Sequence, residues 1–340
     1  MFSIRTCLMS LVICHMSLPV HATDVVTVGS LKGLSSFVTL LGDEKGYFRE
    51  RGIEINFVDF DSGAKMIPSL STGDLMAGLG AVSSAFFNAS KRGLNVKIVA
   101  GAVRNAAGAG QALLVRSDLI GTGVRSIKDL AGHKIAITSP ASADAASLNL
   151  ILKSAGLTIR DVDTVPLGFP QQIAALSNKA IDAALVGEPF ATLAGRAKIA
   201  SPLVAVSDIF PNRESAVLVF GDAMLKRTDD LAARFLAAYL KGARYYMNAQ
   251  KDGRLSGPQG NDVADILSKR SSIKDRALIL EMRPFAVDTE GKVNMSSIKY
   301  DYQYFLANRQ AEPGVDVEGM VETRYVPAAL KLIAQRPNAD

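Results

Sequence analysis

The side chains in this sequence that could do chemistry suit recognition of a small molecule better than catalysis. Glu188 follows an apolar stretch and precedes Pro189, which favours an extended backbone at the residue before it. A carboxylate at this point would bind an amine or N–H group of a ligand, or would pair with a cation across a cleft. The alternative is a buried structural pair. Phe169 and Phe190 could each offer a ring face to a ligand, although core packing is the favoured interpretation of Phe190.

A second candidate is the stretch TSPAS at residues 138–142, between a predicted strand and a predicted helix. The first turn of a helix has free backbone N–H groups and a partial positive charge, which together attract anions. Hydroxyl groups are at hand on Thr138, Ser139 and Ser142. The stretch could therefore hold the oxygens of a carboxylate, a sulfonate or a nitrate-like ion. The alternative is that Ser139 or Ser142 simply caps the helix.

The net positive charge is small, and the basic residues are scattered along the chain. The chain has 38 Lys and Arg residues against 33 Asp and Glu residues, a net charge of +5, without a basic run. This pattern argues against a nucleic-acid-binding surface. Lys32 could bring a full positive charge to a ligand, or could be a solvated surface residue. Arg104 is a weaker candidate of the same kind.

Histidine and cysteine are too few for the common catalytic and metal sites. Both cysteines and two of the three histidines lie within residues 1–22, which leaves only His133 in the rest of the chain. His133 stands in a turn before a predicted strand, where an exposed position is expected. Nucleophilic triads and zinc sites use His or Cys, and no GxxxxGK[ST] phosphate loop is present. We therefore expect no enzyme activity, no cofactor and no metal.

Residues 1–22 have the features of a secretory signal peptide. Arg5 precedes an apolar stretch of about a dozen residues, which is too short to span a membrane, and Val20-His21-Ala22 fits a cleavage site. Ile13 before Cys14 does not fit a lipid-anchoring signal. We expect cleavage after Ala22 and a free periplasmic protein with a net charge of +4, that is 37 minus 33.

The elements that position these residues form an internal repeat. LSTGDLMAGLGAVSS at Leu70–Ser84 aligns without a gap to LSNKAIDAALVGEPF at Leu176–Phe190. Each copy is predicted to contain a helix end, a turn, a short apolar strand and a loop. A unit repeated at this spacing indicates two similar α/β lobes, and we expect the loops Gly80–Ser84 and Gly187–Phe190 to face each other across a cleft.

Strands and helices alternate through both lobes. Predicted strands are 24–30, 53–60, 96–100, 134–138 and 163–167, and predicted helices are 33–45, 64–70, 85–92, 143–154 and 170–177. Two similar strands, Gln111–Ser117 and Ser215–Gly221, suit a two-stranded hinge. The predicted division is 23–114 with 216–340 in lobe 1, and 115–215 in lobe 2. Beyond Gly221 we expect helices that pack on lobe 1 and have little chemistry of their own.

Four stretches resemble the substrate-binding proteins of nitrate/sulfonate/taurine-type ABC transporters, which are related to thiamine-pyrimidine precursor binders. They are VTVGSLKG, EKGYFRERGIEINFVDFDSGAKMIPSLSTGDLMAGLG, SIKDLAGHKIAITSPASADAASLNLILKSAGL and ALSNKAIDAALVGEPF. The resemblance implies a type II periplasmic-binding-protein fold: two α/β lobes, two crossover hinge strands and a helical C-terminal extension. It also implies ligand contacts at Ser30, Leu31, Lys32, Ala81, Val82, Ser83, Thr138, Ser139, Ser142, Phe169, Glu188 and Pro189.

The resemblance implies a monomeric solute-binding component that captures a small organic anion or zwitterion, such as a sulfonate, a carboxylate or a pyrimidine-like molecule. Its partners would be a membrane-embedded ABC permease and the ATPase of that permease. This sequence departs from the family pattern at Met76, where an acidic residue is common, at Leu31, where an aromatic residue is frequent, and in having no Trp. Two alternatives stay open. One is a periplasmic sensing module for a membrane receptor, and the other is an enzyme like the pyrimidine synthases of the same fold.

Overall fold

The computed structural model describes residues 23–31, 36–60, 62–80, 82–107 and 109–335. The predicted signal peptide lies outside the described residues, and so do Lys32 and Ala81 of the predicted ligand-binding set. Within the described part, strands and helices alternate and form two separate five-stranded sheets.

The first sheet draws its strands from both ends of the chain, and the second sheet from the middle. The N-terminal part contains β1 (Asp24–Leu31), α1 (Phe37–Glu44), β2 (Ile53–Phe60), α2 (Gly63–Thr72), β3 (Ala77–Gly80), α3 (Ser84–Lys91) and β4 (Lys97–Arg104). The middle part contains β5 (Ala112–Arg116), β6 (Lys134–Ile137), α4 (Ala143–Ser154), β7 (Asp163–Pro166), α5 (Phe169–Ser177), β8 (Ala183–Val186), α6 (Phe190–Arg196), β9 (Ala200–Ala205) and α7 (Val206–Ile209). The C-terminal part contains β10 (Glu214–Phe220), α8 (Asp222–Leu225), α9 (Leu231–Asn248), α10 (Gly260–Arg270), α11 (Arg276–Glu281), α12 (Met295–Ala307) and α13 (Val326–Ala334).

The two sheets have the same topology. Their strand orders are β2-β1-β3-β10-β4 and β7-β6-β8-β5-β9. In each sheet four strands run in one direction, and the remaining strand, β10 or β5, is antiparallel to both of its neighbours. The strands of the sequence repeat, β3 and β8, hold the same central position in the two sheets. The repeat is therefore a structural one, as its alignment predicts.

Two connections cross between the lobes, from β4 to β5 and from α7 to β10, and they lie side by side. The Asn105 N–H donates to the Arg213 carbonyl at 3.0 Å, and the Asn212 N–H donates to the Asn105 carbonyl at 3.2 Å. The buried Asn105 side chain accepts from the Gln111 N–H at 2.7 Å. Among the strands that the structure describes, β5 pairs with β8 and β9 only, and β10 with β3 and β4 only. The predicted hinge strands thus flank the crossings, and the predicted division points 114/115 and 215/216 fall inside these two strands.

The core on one face of the first sheet is closed by α9. Its buried Phe235, Tyr239 and Tyr246 recur at helical spacing and pack with residues of α1, as the sequence periodicity predicts. A second apolar cluster covers the other face and continues through α12 to α4 of the second lobe. The C-terminal helices therefore do more than pack on the first lobe, since α12 contacts α4 and α11 contacts α6.

None of the helices in the described ranges is both long enough and apolar enough to cross a bilayer.

Candidate ligand-binding site

The described residues of the predicted site lie at the carboxyl ends of parallel strands. They end or follow β1 (Ser30 and Leu31), β3 (Val82 and Ser83), β6 (Thr138, Ser139 and Ser142), β7 (Phe169) and β8 (Glu188 and Pro189). Ligands of open α/β sheets bind at such strand ends. The first two groups belong to the first lobe, and the other three belong to the second lobe.

In the first lobe, Ser83 is the polar side chain best suited to a ligand. It is the residue before α3, it is 7% exposed, and its Oγ has no hydrogen-bond partner within the part of the chain that the structure describes. A buried hydroxyl of this kind is one that a ligand or a bound water can satisfy. Ser30 is also buried, whereas the neighbouring Val82 belongs to the apolar core. The Leu31 N–H donates to the Ser36 Oγ at 3.3 Å.

In the second lobe, the hydroxyls before α4 already have partners within the chain. The Thr138 hydroxyl donates to the Asp144 carboxylate and lies 3.2 Å from the Ser142 Oγ. Ser142 donates to the Ser139 carbonyl at 2.6 Å, and the Ser139 Oγ accepts from the Ala141 N–H at 3.3 Å. These contacts order the start of the helix.

Asp144, which the sequence reasoning did not single out, changes the electrostatics of this helix start. It lies in the first turn of α4, and its carboxylate accepts from the Gln111 side chain of the crossing at 2.7 Å. Burial raises the pKa of Asp144, while the hydrogen bonds from Thr138 and Gln111 oppose that rise. An acidic group here already complements the partial positive charge of the helix end. The start of α4 is therefore less suited to an anionic ligand than its hydroxyls suggest.

Glu188 connects the two lobes through hydrogen bonds. Its peptide bond to Pro189 is cis, and its side chain is 9% exposed. The carboxylate accepts from the Thr192 N–H at 3.1 Å and from the Thr192 hydroxyl at 2.9 Å, both in α6. It also accepts from the Arg283 N–H, in the segment after α11, at 3.0 Å. Burial raises the pKa of Glu188 against these hydrogen bonds. The cross-lobe partner is thus a backbone N–H group.

The two phenylalanines at the helix starts contact each other. The rings of Phe169 and Phe190 stack with centroids 5.5 Å apart and planes 28° apart, and both side chains are half-buried. They pack at the edge of the apolar core between α5 and α6. Both rings therefore contribute to packing within the second lobe.

A cavity of about 650 Å³ lies on the side of the crossings that faces α6 and α11, and is called the hinge-side cavity below. The crossing segment Ala109–Gln111 lines it. Of the predicted site residues, Glu188 lines it. One wall comes from β5, β9 and α6 of the second lobe. Arg254, Glu281 and Arg283, which lie far along the sequence, also line the cavity.

Ion pairs between α6 and α11 border this cavity. Arg196 lies 2.8 Å from the carboxylate of Asp275 and 2.5 Å from that of Glu281, and both pairs raise the pKa of Arg196. Arg254 donates to the Glu281 carbonyl at 2.7 Å. Sequence reasoning missed Arg196, Arg254 and Glu281 because no local motif links residues that only the fold brings together.

The described residues hold no metal-binding cluster, and their histidine is paired within the chain. No group of three or more His, Cys, Asp or Glu side chains in this part of the chain is arranged to hold a metal ion. The Nδ1 of His133 lies 3.1 Å from the Asp182 carboxylate, in the turn before β6. That carboxylate also accepts from the Lys134 N–H at 3.0 Å, so this pair orders the turn.

Sequence comparison relates most of the chain to one family and about half of it to curated relatives. A family model described as NMT1/THI5 like matches residues 36–252. A curated protein of Brucella abortus (strain 2308), whose name is "Putative binding protein BAB2_1146", is 28% identical over 199 residues. That match covers 57% of this chain and 56% of the relative, so it spans only a little over half of the relative's length.

Solved structures share the fold. The alkanesulfonate-binding protein SsuA from Xanthomonas axonopodis pv. citri, bound to MOPS, has a TM-score of 0.69 at 17% identity, over 89% of this chain and 99% of that chain. The periplasmic nitrate-binding protein NrtA from Synechocystis PCC 6803 has a TM-score of 0.68 at 15% identity, over 94% and 90%. The desulfurization enzyme DSZB has a TM-score of 0.63 at 14% identity, over 91% and 99%. These matches confirm the predicted two-lobed α/β fold.

Proposed function

From the premise that this chain belongs to the NMT1/THI5-like family, we propose that it is the periplasmic solute-binding component of an ABC importer. The family expected from the sequence is thereby confirmed, and the solute and the transporter are the proposed part. The solute would be a small organic anion or zwitterion, captured between two closing lobes. The partners would be a membrane-embedded permease and its ATPase, and the working form would be a monomer.

The observation that supports this proposal most is the arrangement of the two lobes. Two sheets of the same topology are linked along the chain by two adjacent crossings, and the predicted ligand-binding residues that the structure describes end or follow parallel strands of both sheets. Ligand binding between such lobes favours a closed state, because only the closed state lets both lobes contact the ligand. We propose that the lobes move about the two crossings, near Asn105 and Asn212.

Binding is favoured over catalysis by the chemistry of the side chains. The hinge-side cavity is lined by carboxylate, guanidinium, hydroxyl and apolar groups, without His or Cys among its described residues. The binding proteins of sulfonate and nitrate named above have the same fold. The fold is also that of a desulfurization enzyme, so the fold alone does not decide between the two classes.

The test is a binding measurement on the purified protein. Native mass spectrometry is expected to detect a co-purified small molecule, or calorimetry to detect binding of at least one of nitrate, taurine, MOPS, 4-aminobenzoate and a 4-aminopyrimidine. The bound compound should raise the melting temperature, and small-angle scattering should show a smaller radius of gyration. If no compound binds or co-purifies and the radius stays constant, the proposal is wrong.

A further inference from the structure

We propose that residues 275–286 form a strap across the hinge, and that exposed ion pairs between this strap and α6 latch the two lobes at one angle. The strap comprises Asp275, α11 and the segment that follows α11, and it contacts the first lobe, the first crossing and the second lobe. The latch would act in the protein without solute. The inference therefore goes beyond the proposed function and shares with it only the premise that the lobes move.

The C-terminal end of the strap is fastened to the first lobe. The Arg104 N–H, at the end of β4, donates to the Ala286 carbonyl at 2.8 Å, and the Ala286 N–H donates back to the Arg104 carbonyl at 3.0 Å. The Phe285 carbonyl accepts from the Tyr246 hydroxyl at 3.1 Å and from the Gln250 side chain at 2.9 Å. This end of the strap therefore moves with the first lobe. Three apolar residues of the strap also belong to the core of that lobe: Leu278, Ile279 and Met282.

The middle of the strap passes over the first crossing and reaches the end of β8. The Gly110 N–H, in the crossing, donates to the Arg283 carbonyl at 3.3 Å, and the Arg283 N–H donates to the Glu188 carboxylate at 3.0 Å. The Phe285 ring lies against Gly110 and Gly187, since a Cβ atom added to either glycine would be 3.1 Å from a ring carbon. One residue of the strap thus contacts the crossing and the second lobe at once.

The helical part of the strap meets α6 through exposed charges. Arg196 is the last residue of α6 and lies 2.8 Å from the Asp275 carboxylate and 2.5 Å from the Glu281 carboxylate. A helix rises about 1.5 Å per residue, so Arg196 stands roughly 10 Å beyond the end of β8 along α6. A rotation of the lobes displaces a group in proportion to its distance from the axis. It therefore displaces the ion pairs of Arg196 more than the contacts of Phe285.

Ionic strength acts on the latch and not on the fastened end of the strap. Exposed ion pairs exchange protein partners for water at little cost and are screened by salt. The screening length falls from about 30 Å at 0.01 M salt to about 3 Å at 1 M salt. The first lobe holds the strap by backbone hydrogen bonds and apolar packing, which salt does not screen. Low salt should therefore favour the latched angle, and high salt should release it.

The experiment measures the distance between the lobes by double electron–electron resonance on the purified and dialysed protein. Spin labels at Glu54→Cys in β2 and at Lys153→Cys in α4, both exposed positions, report the separation of the lobes. Cys7→Ser and Cys14→Ser remove the other thiols of the sequence. We expect one main population of distances at about 0.01 M NaCl and a second population that grows at about 1 M NaCl.

Charge variants assign this change to the latch. At low salt, Arg196→Glu should raise the ratio of the second population to the first at least about threefold over wild type, as expected when exposed ion pairs are lost. Adding Glu281→Arg should reverse most of that change, because it restores a pair of opposite charges. Arg276→Glu is the matched control. Arg276 also lies in α11 and is 2.5 Å from the exposed Asp265, but this pair stays within the C-terminal part of the chain.

Two results would overturn the proposal. One is a distribution of distances in Arg196→Glu that equals that of Arg276→Glu at low salt. The other is a salt response in Arg196→Gln, which lacks the charge, as large as that of the wild type. Circular dichroism checks that each variant is folded, and Arg196→Gln serves as the milder change if Arg196→Glu is not. Either failure would leave the proposed function intact, because solute binding is measured separately by calorimetry.

Discussion

The two lobes meet at two junctions that differ sharply in burial. At the buried junction, the guanidinium of Arg213 in the second crossing is fully enclosed. It donates to the Ser147 hydroxyl at 2.9 Å and to the Ala143 carbonyl at 3.4 Å, both in α4, and it pairs with Asp301 in α12 at 2.5 Å. At the exposed junction, Arg196 of α6 pairs with Asp275 and Glu281, whose side chains are 52% and 51% exposed.

This difference indicates which contacts hold the lobes together and which can open. A buried charge that loses its partner stays uncompensated, so the buried junction resists any motion that separates its groups. Exposed charges exchange protein partners for water at little cost. We therefore expect opening and closing of the lobes to keep the contacts of Arg213 and to make and break those of Arg196. The hinge-side cavity lies beside the exposed junction, where access can change.

The largest effect is expected at the buried junction. Asp301→Ala leaves the Arg213 guanidinium buried without its carboxylate and should lower the free energy of unfolding by about 3–5 kcal/mol. Urea denaturation measures the change. Asp230→Ala is the control, because Asp230 pairs with Arg234 at 2.7 Å while remaining 67% exposed. If the two substitutions lower the free energy of unfolding by the same amount, the distinction between the junctions is wrong.

A pH effect is expected next to the buried junction, at Glu214. Burial raises the pKa of Glu214 to about 7, even though its Oε1 accepts from Arg104 at 2.8 Å and from the Asn294 N–H at 3.1 Å. Its Oε2 has no partner in the described part of the chain. Because the folded state then binds a proton more tightly than the unfolded chain, stability falls as pH rises from about 4.5 to 7.

Glu214→Gln should abolish this decrease in the free energy of unfolding, which amounts to as much as about 3 kcal/mol between about pH 4.5 and 7. Urea denaturation at a series of pH values measures the slope of the free energy of unfolding against pH. Glu290→Gln, at an exposed position, should leave the slope as in the wild type. An unchanged slope in Glu214→Gln would mean that Glu214 stays ionised in the folded protein.

An intermediate effect is expected at Glu188, which is buried but lies at the edge of the exposed junction. Glu188→Gln removes the charge from a group that accepts three hydrogen bonds, and should lower the free energy of unfolding by about 1–2 kcal/mol. Thermal and urea denaturation measure the cost, and Thr192→Val tests the hydroxyl partner alone. Unchanged stability combined with weaker solute binding would instead make Glu188 a ligand-reading residue.

The smallest effect is expected at Arg196. Arg196→Gln should lower the melting temperature slightly at low salt, and the difference from wild type should disappear near 1 M NaCl, where the screening length is about 3 Å. The loss of stability caused by Asp301→Ala should persist at the same salt concentration. If the melting temperature of Arg196→Gln were lowered equally at low and high salt, the ion pairs of Arg196 would be as shielded from salt as those of the buried junction.

The sequence by itself determined the architecture of each lobe. The alternation of apolar strands and amphipathic helices predicts most element positions within a few residues, and the gapless repeat identifies β3 and β8 as equivalent strands. These features are local, because burial of one face fixes the period of apolar residues along a strand or a helix. The strand β9 was missed, since Pro202 interrupts its pattern, and the structure places it at a sheet edge where proline is tolerated.

Only the tertiary structure decided how the lobes meet. Arg213, Asp144 and Asp301 are far apart in the sequence, and Arg254 and Glu281 stand in helices and loops that carry no motif. Their roles depend on long-range packing, which sets burial and charge environment without leaving a local pattern. The hydroxyls before α4 indicate an anion site from sequence alone. Thr138 donates to Asp144, and Asp144 accepts from Gln111, so part of this hydrogen-bonding capacity joins the helix to the crossing.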